Sequence, residues 1–416
     1  MWHSVSAQKV SNGVQIQESL QPPQATIPLS LFGMHFHRLA TTTPWPENEP
    51  IGNWRLLAAY VDWPNLEPSR DKYDFEKLDL YLKLAEQHHV TVILPLVLTP
   101  NWASSRPNEP SSYAPGNAAE PKDMADWRDF VRTVGTRYKG RIHEYEIWNE
   151  PNLKEFYSGS IPQLVEMARI AYTTLKEIDP SNTVSSPPIT SGYGVSWLDS
   201  YLKAGGKNYA DVIGYHLYVN PKPPELMVPL IKQVKAVMQS NGIGDRPFWN
   251  TESGWAIQNA QSAVTAASGS GFNSTVLPLD VASAYVARAY ILSWASGVSR
   301  FYWYAWDDGI MGLTEADGKT LKPPAIAYRE VENWLGGSRM TTCGADQVGN
   351  WTCQITRDSG YRGWIVWNPD HSVDFHTPNA WEAREERNLS GTAQKLAIGQ
   401  SIQIGQAPVL IQNSIQ

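Results

Sequence analysis

Eight β-compatible runs alternating with helical patterns over residues 28–336, followed by short strands without helices, predict an α/β fold: a TIM (β/α)8 barrel with a small C-terminal β-sandwich. Length agrees. At 416 residues the chain exceeds the roughly 250 of a typical barrel, which leaves room for a second, smaller unit. A third observation is where the acidic motifs fall, at the ends of two of the runs, because a barrel of this kind carries its chemistry at the C-terminal ends of its strands.

Residues 1–27 form a polar N-terminal extension in which 10–17 reads as one strand, suited to pairing with the C-terminal unit. Barrel strands are expected at 29–36, 53–60, 91–98, 143–148, 183–186, 212–218, 248–251 and 300–305. Helical periodicity fills the gaps at 75–88, 124–138, 161–178, 227–241 and 281–297. Asp74 stands before the first of these and suits a cap, because its carboxylate can accept backbone N–H groups that a helix start leaves unpaired. In the sandwich, 337–416, the runs 351–356 and 361–367 flank a turn at 357–360, and a last apolar run closes at 408–411. Cys343 and Cys353 flank Val348-Gly349-Asn350-Trp351, so that opposed positions of a hairpin would bring them into bonding range.

Composition excludes several classes. With 34 Lys and Arg against 41 Asp and Glu the formal net charge is -7, and no block of basic residues marks a nucleic-acid face. Two cysteines support neither a zinc site nor a disulfide-built scaffold, and neither a metal nor a cofactor is expected. The longest apolar candidate, 284–295, contains Arg288 and is too short for a membrane span. Met1-Trp2-His3-Ser4 lacks a charged segment leading into an apolar core. The expectation is nevertheless an extracellular or periplasmic protein whose secretion signal is absent from this sequence. Asn273, Asn350 and Asn388 head glycosylation tripeptides, which matter only in a eukaryotic secretory route. Eighteen Trp residues exceed what packing alone suggests, and aromatic faces suit sugar rings.

The fourth run ends in Glu144-Tyr145-Glu146-Ile147-Trp148-Asn149-Glu150-Pro151-Asn152, where Pro151 stops the sheet ladder beside a carboxylate. The seventh delivers Glu252 in Trp249-Asn250-Thr251-Glu252-Ser253-Gly254-Trp255. Two strand-end glutamates are what glycoside hydrolysis needs, one to protonate the leaving oxygen and one to attack or to activate water. Trp148-Asn149-Glu150-Pro151 together with Thr251-Glu252-Ser253-Gly254-Trp255 resembles the signature pair of clan A retaining glycosidases. Within that clan the chain is most similar to glycoside hydrolase family 39, including its bacterial exopolysaccharide-degrading branch, over residues 28–335. The resemblance implies Glu150 as acid/base, Glu252 as nucleophile and Asn149 as the partner of the sugar 2-hydroxyl. Strict alternation sends Asn149 and Glu150 to opposite faces, so both reach the site only if the strand end is irregular.

The remaining candidates line substrate. His216 and Tyr218 share one face of the sixth strand, and similar residues in the clan orient the nucleophile; a core histidine satisfied by backbone is the competing reading for His216. His35 is a sugar-binding candidate, with His37 on the same strand face undecided. Trp63 is a substrate-contact candidate for which a structural role serves as well, Trp102 and either Trp303 or Trp306 are candidate stacking platforms, and in the sandwich Trp351, Trp364 and Trp367 are lesser sugar-binding candidates against a structural role. Loops at 101–123, 220–225 and 258–280 surround the same mouth, either walling a groove or capping a pocket. The expected activity is retaining hydrolysis of β-linked polysaccharide or oligosaccharide, endo-acting. The alternatives are an exo-acting β-xylosidase-like enzyme, a transglycosidase, and a non-catalytic carbohydrate-binding protein on the same fold.

Overall fold

A computed structural model gives the protein at residues 18–39, 41–259, 275–358 and 360–414. The strand expected at 10–17 and most of the loop 258–280 lie outside the described residues.

Eight parallel strands form the barrel: β1 (Phe32–His35), β2 (Asn53–Arg55), β3 (Thr91–Leu96), β4 (Glu144–Ile147), β5 (Thr183–Ser185), β6 (Ile213–His216), β7 (Phe248–Ser253) and β8 (Arg300–Trp303). Each pairs with the next in sequence apart from the fifth with the sixth, and β8 pairs back to β1 with Phe301 opposite Phe32. The fifth strand is broken. Pro187 and Pro188 cannot donate to a ladder, so β5 stops at Ser185 and a second piece, Ile189–Thr190, takes up pairing with β6. A bridge from Ser185 to Val212 closes the ring at this point.

Several strands are shorter than their apolar runs. β2 ends at Arg55 because Ala58 and Tyr60 adopt φ of 54° and 58°, left-handed backbone that no ladder accommodates. Residues 29–31 are a 3-10 turn leading into β1. The helices follow their periodicity closely: Glu76–Gln87, Met124–Arg137, Ile161–Ile178, Met227–Ser240 and Leu279–Ala295. Asp74 accepts the Glu76 N–H at 3.0 Å, while Ser160 and Gln163 form a reciprocal capping box on the third of these helices.

Glu18–Leu20 pairs antiparallel with Arg339–Ala345 at the edge of a seven-stranded sheet that continues through Trp351–Thr356, Arg362–Trp367 and Val409–Gln412. Cys343 and Cys353 stand opposite each other in this sheet and are disulfide-bonded. Residues of the sheet, among them Met340, Trp351, Ile365 and Trp367, join the barrel in one continuous core. A polar joint reinforces it, in which Glu225 receives Arg288 at 3.0 Å and the Trp367 indole N–H at 2.9 Å. Trp351, Trp364 and Trp367 are buried, the first and last stacked on each other and Trp364 stacked on Trp381, so the sandwich tryptophans serve packing rather than a sugar.

Candidate active site

All four residues of β4 are buried, and the strand ends at Ile147 because the next residues leave β geometry. Trp148 has φ of 59° and Glu150 of 44°, the irregularity that lets neighbouring side chains serve one site. The Glu150 N–H reaches across to the Pro188 carbonyl at 3.0 Å, anchoring the turn to the broken fifth strand. Both side chains then face the centre: Asn149 Oδ1 accepts from Arg55 Nη2 at 2.9 Å, and Glu150 Oε1 lies 2.7 Å from His216 Nδ1.

Glu252, on β7, is held from two sides. Tyr218 donates its hydroxyl to Oε1 at 2.9 Å, and Arg55 Nη1 donates to Oε2 at 2.8 Å. His216 Nδ1 lies 4.0 Å from the same carboxylate. Ligand atoms of Glu150, His216 and Glu252 all fall within 4.8 Å of one another, so the two carboxylates approach to that distance or less. That cluster is compact enough for a cation, but Arg55 already supplies a positive charge to it.

The environments of the two acids differ. Burial pushes Glu150 up to about 7 against an ordinary value of 4.5, so near neutrality it retains a proton. Glu252 is paired with a guanidinium and a phenol, the setting of an anion. Burial lowers His216 to about 3, which keeps it neutral through the physiological range. Its Nε2 is buried without a partner, which suits a bare lone pair better than an N–H; the proton is therefore assigned to Nδ1. His216 then donates to Glu150 Oε1. One carboxyl group can give a proton while the other attacks an electrophilic carbon.

Other residues fall where the sequence did not place them. Trp303 is fully buried, its indole donating to the Met311 carbonyl and stacked on Trp255, and Trp306 is buried against Phe36. Neither presents a stacking face. Trp63 is also fully buried, bonded to Glu67 and packed on Phe130 and Trp127, so it holds the fold. Trp102 is half-buried, pinned to the Glu67 carbonyl and covered by Arg70. Tyr304, which the sequence reading passed over, stands between His35 and His37 with ring centroids 5.1 and 4.9 Å away. His35 donates from Nε2 to the Thr251 carbonyl beside Glu252, and burial holds its pKa well below the usual histidine range. His37 approaches Asp308 at 3.9 Å, with its Nε2 buried and unpartnered.

Two further residues were missed. Arg55 is fully buried at the end of β2 and donates to Glu146, Asn149 and Glu252 at 2.5 to 2.9 Å. Glu146, on β4, is buried beneath it, and burial raises its pKa despite the pairing. An Arg at a strand end reads in sequence as a surface charge; its fully conjugated burial becomes visible only with its partners.

A parallel barrel with two close carboxyl groups closing its fourth and seventh strands, one protonated and one ion-paired, defines the class as the two-carboxylate glycoside hydrolases. Residues 57–269, just over half the chain, match the model of glycosyl hydrolases family 39, and the chain belongs to that family. It is 27% identical over 166 residues to a beta-xylosidase of Geobacillus stearothermophilus, covering 34% of this chain and 33% of that one. A beta-xylosidase of Caldicellulosiruptor saccharolyticus is 28% identical over 111 residues, covering 25% and 22%. The matched region thus spans a third or less of those relatives. Among solved structures, a family 39 glycoside hydrolase from Bacteroides cellulosilyticus WH2 superposes with a TM-score of 0.74 at 19% identity, covering 92% of this chain and 80% of that one. A family 39 beta-xylosidase from Caulobacter crescentus gives 0.66 at 17%, covering 95% and 97%. The two structural likenesses concern the fold.

Proposed function

We propose that the protein is a retaining, exo-acting β-glycosidase that removes single terminal sugars, xylose or a close relative of it, by double displacement. The observation that carries the reading is the approach of the two carboxylates to within 4.8 Å. Retaining enzymes hold their carboxyl groups roughly 5 to 5.5 Å apart, and inverting ones need roughly 6.5 to 9.5 Å to admit a water between the general base and the sugar. Glu252 attacks the anomeric carbon as Glu150 protonates the departing oxygen; Glu150, now ionised, takes a proton from the water that releases the sugar. Asn149, fixed by Arg55, is the donor for the 2-hydroxyl. The exo mode and the sugar are favoured over endo cleavage by the two xylosidase relatives. The buried disulfide supports an oxidising location, outside the cytosol.

Incubation with 4-nitrophenyl β-xyloside, the corresponding β-glucoside, xylobiose and polymeric xylan, with sizing of products, tests the reading. Release of monosaccharide from the small substrates is expected. Activity confined to polymers, with oligosaccharides as first products, would replace exo by endo action.

A further inference from the structure

We infer that Tyr113 and Phe156 form the binding site for the leaving group, an aromatic clasp that selects substrates whose aglycone is itself a sugar ring or another group with a flat apolar face. The inference rests on the reading of Glu150 as the general acid, because the acid stands beside the departing oxygen and the residues beyond it must face the leaving group.

Phe156 belongs to the segment that follows Glu150 directly. Its carbonyl accepts the Trp148 indole N–H at 2.9 Å, and the Leu153 N–H bonds the Glu150 carbonyl at 3.0 Å, so the ring is fixed to the same turn that carries the acid. Tyr113 comes from the loop after β3 and lies beside Phe156, ring centroids 5.6 Å apart and planes tilted by 47°. The residue is 42% exposed, which leaves aromatic surface open to solvent. The hydroxyl end reaches inward, where burial and the charges of Glu252 and Glu150 raise its pKa.

The clasp is rigid rather than a pair of loose loop tips. Ser112 N–H bonds the Glu155 carbonyl at 3.1 Å, Ser158 N–H bonds the Ala118 carbonyl at 2.8 Å, and Arg106 ties Glu120 to the Ser158 hydroxyl. Two loops from adjacent strands are thereby locked together, and their aromatic rings meet beside the turn that carries Glu150. A preorganised aromatic pair with one exposed member suits the C–H face of a pyranose or an aryl group, and gives a small inorganic leaving group nothing to hold.

The test compares xylobiose, whose leaving group is a sugar, with β-xylosyl fluoride, whose leaving group is a single atom. Y113A and F156A should each lower kcat/KM on xylobiose roughly threefold to tenfold, the range of an aromatic contact, and leave the fluoride within about twofold of the unaltered protein. Y113F should keep the xylobiose rate, since the face and not the hydroxyl does the holding. Equal losses on both substrates, no loss on either, or a loss in Y113F matching that in Y113A would overturn the assignment. If the unaltered protein cleaves neither substrate, the functional reading itself falls, and this one with it.

Discussion

Glu150 and Glu252 have the same side chain and do opposite work because their surroundings differ. Glu150 has a neutral histidine beside it, and burial raises it to about 7. Glu252 has a guanidinium. The sign of the pH dependence follows. The first chemical step needs Glu150 protonated, so kcat/KM should be full below this value and fall as pH rises through about 7. Changing Glu150 to Gln should cost roughly 10² to 10⁴-fold on substrates with poor leaving groups, and a pH profile of the variant should lose the alkaline limb. An alkaline limb that persists unchanged in the variant would assign it to another group. At this scale the sequence was most legible for Asn149, Glu150 and Glu252, whose motif sits on nine consecutive residues or closes a single strand. Arg55 was not legible, because its partners Glu146, Asn149 and Glu252 lie 91, 94 and 197 positions away.

The elements carry these residues through three strand ends. β2 contributes Arg55, β4 contributes Glu146 with Asn149 and Glu150, and β7 contributes Glu252, so one guanidinium fastens three strands. Removing it strands two buried carboxylates. R55A should therefore destabilise the fold by about 3 to 5 kcal/mol, the cost of breaking a buried pair, measured by urea unfolding, and should also abolish turnover. R55K keeps the charge but not the fork that reaches three partners, and an intermediate loss is expected. The tryptophans mark where sequence reading runs out. Periodicity identifies an apolar position without saying which neighbour covers it, and Trp63, Trp303 and Trp306 all proved to be covered by other rings. W63A should accordingly lower stability by about 3 to 5 kcal/mol, as large-to-small changes in a core do. KM of the folded fraction should change little, and a raised KM at unchanged stability would return Trp63 to the substrate. Strand lengths were overestimated for a related reason, since the left-handed residues Ala58 and Tyr60 are ordinary in composition and special only in backbone.

At the scale of the whole molecule the sandwich is bound to the barrel by shared core and by the segment Glu18–Leu20, which starts ahead of the barrel and ends in the other sheet. The Glu225 joint adds a partly buried polar link. Heating should therefore give one cooperative transition rather than two, and a chain ending at Leu335 should fail to yield a folded barrel, because Trp334 and Leu335 would lose their cover. Two separated transitions in calorimetry would show the units to be independent. The alternation of helix and strand made the barrel legible, and the absence of helices beyond residue 335 made the sandwich so; the interlocking of the two needs contacts between residues too far apart in sequence to read.

The central claim is that Glu252 attacks carbon directly while Glu150 serves first as acid and then as base. Proton NMR of an aryl β-xyloside during cleavage, read before mutarotation mixes the anomers, tests it most directly. The β-anomer of the free sugar should appear first, its configuration kept through two inversions. First release of the α-anomer would mean a single inversion by water, and would contradict both the role of Glu252 and the significance given to the closeness of the two carboxylates.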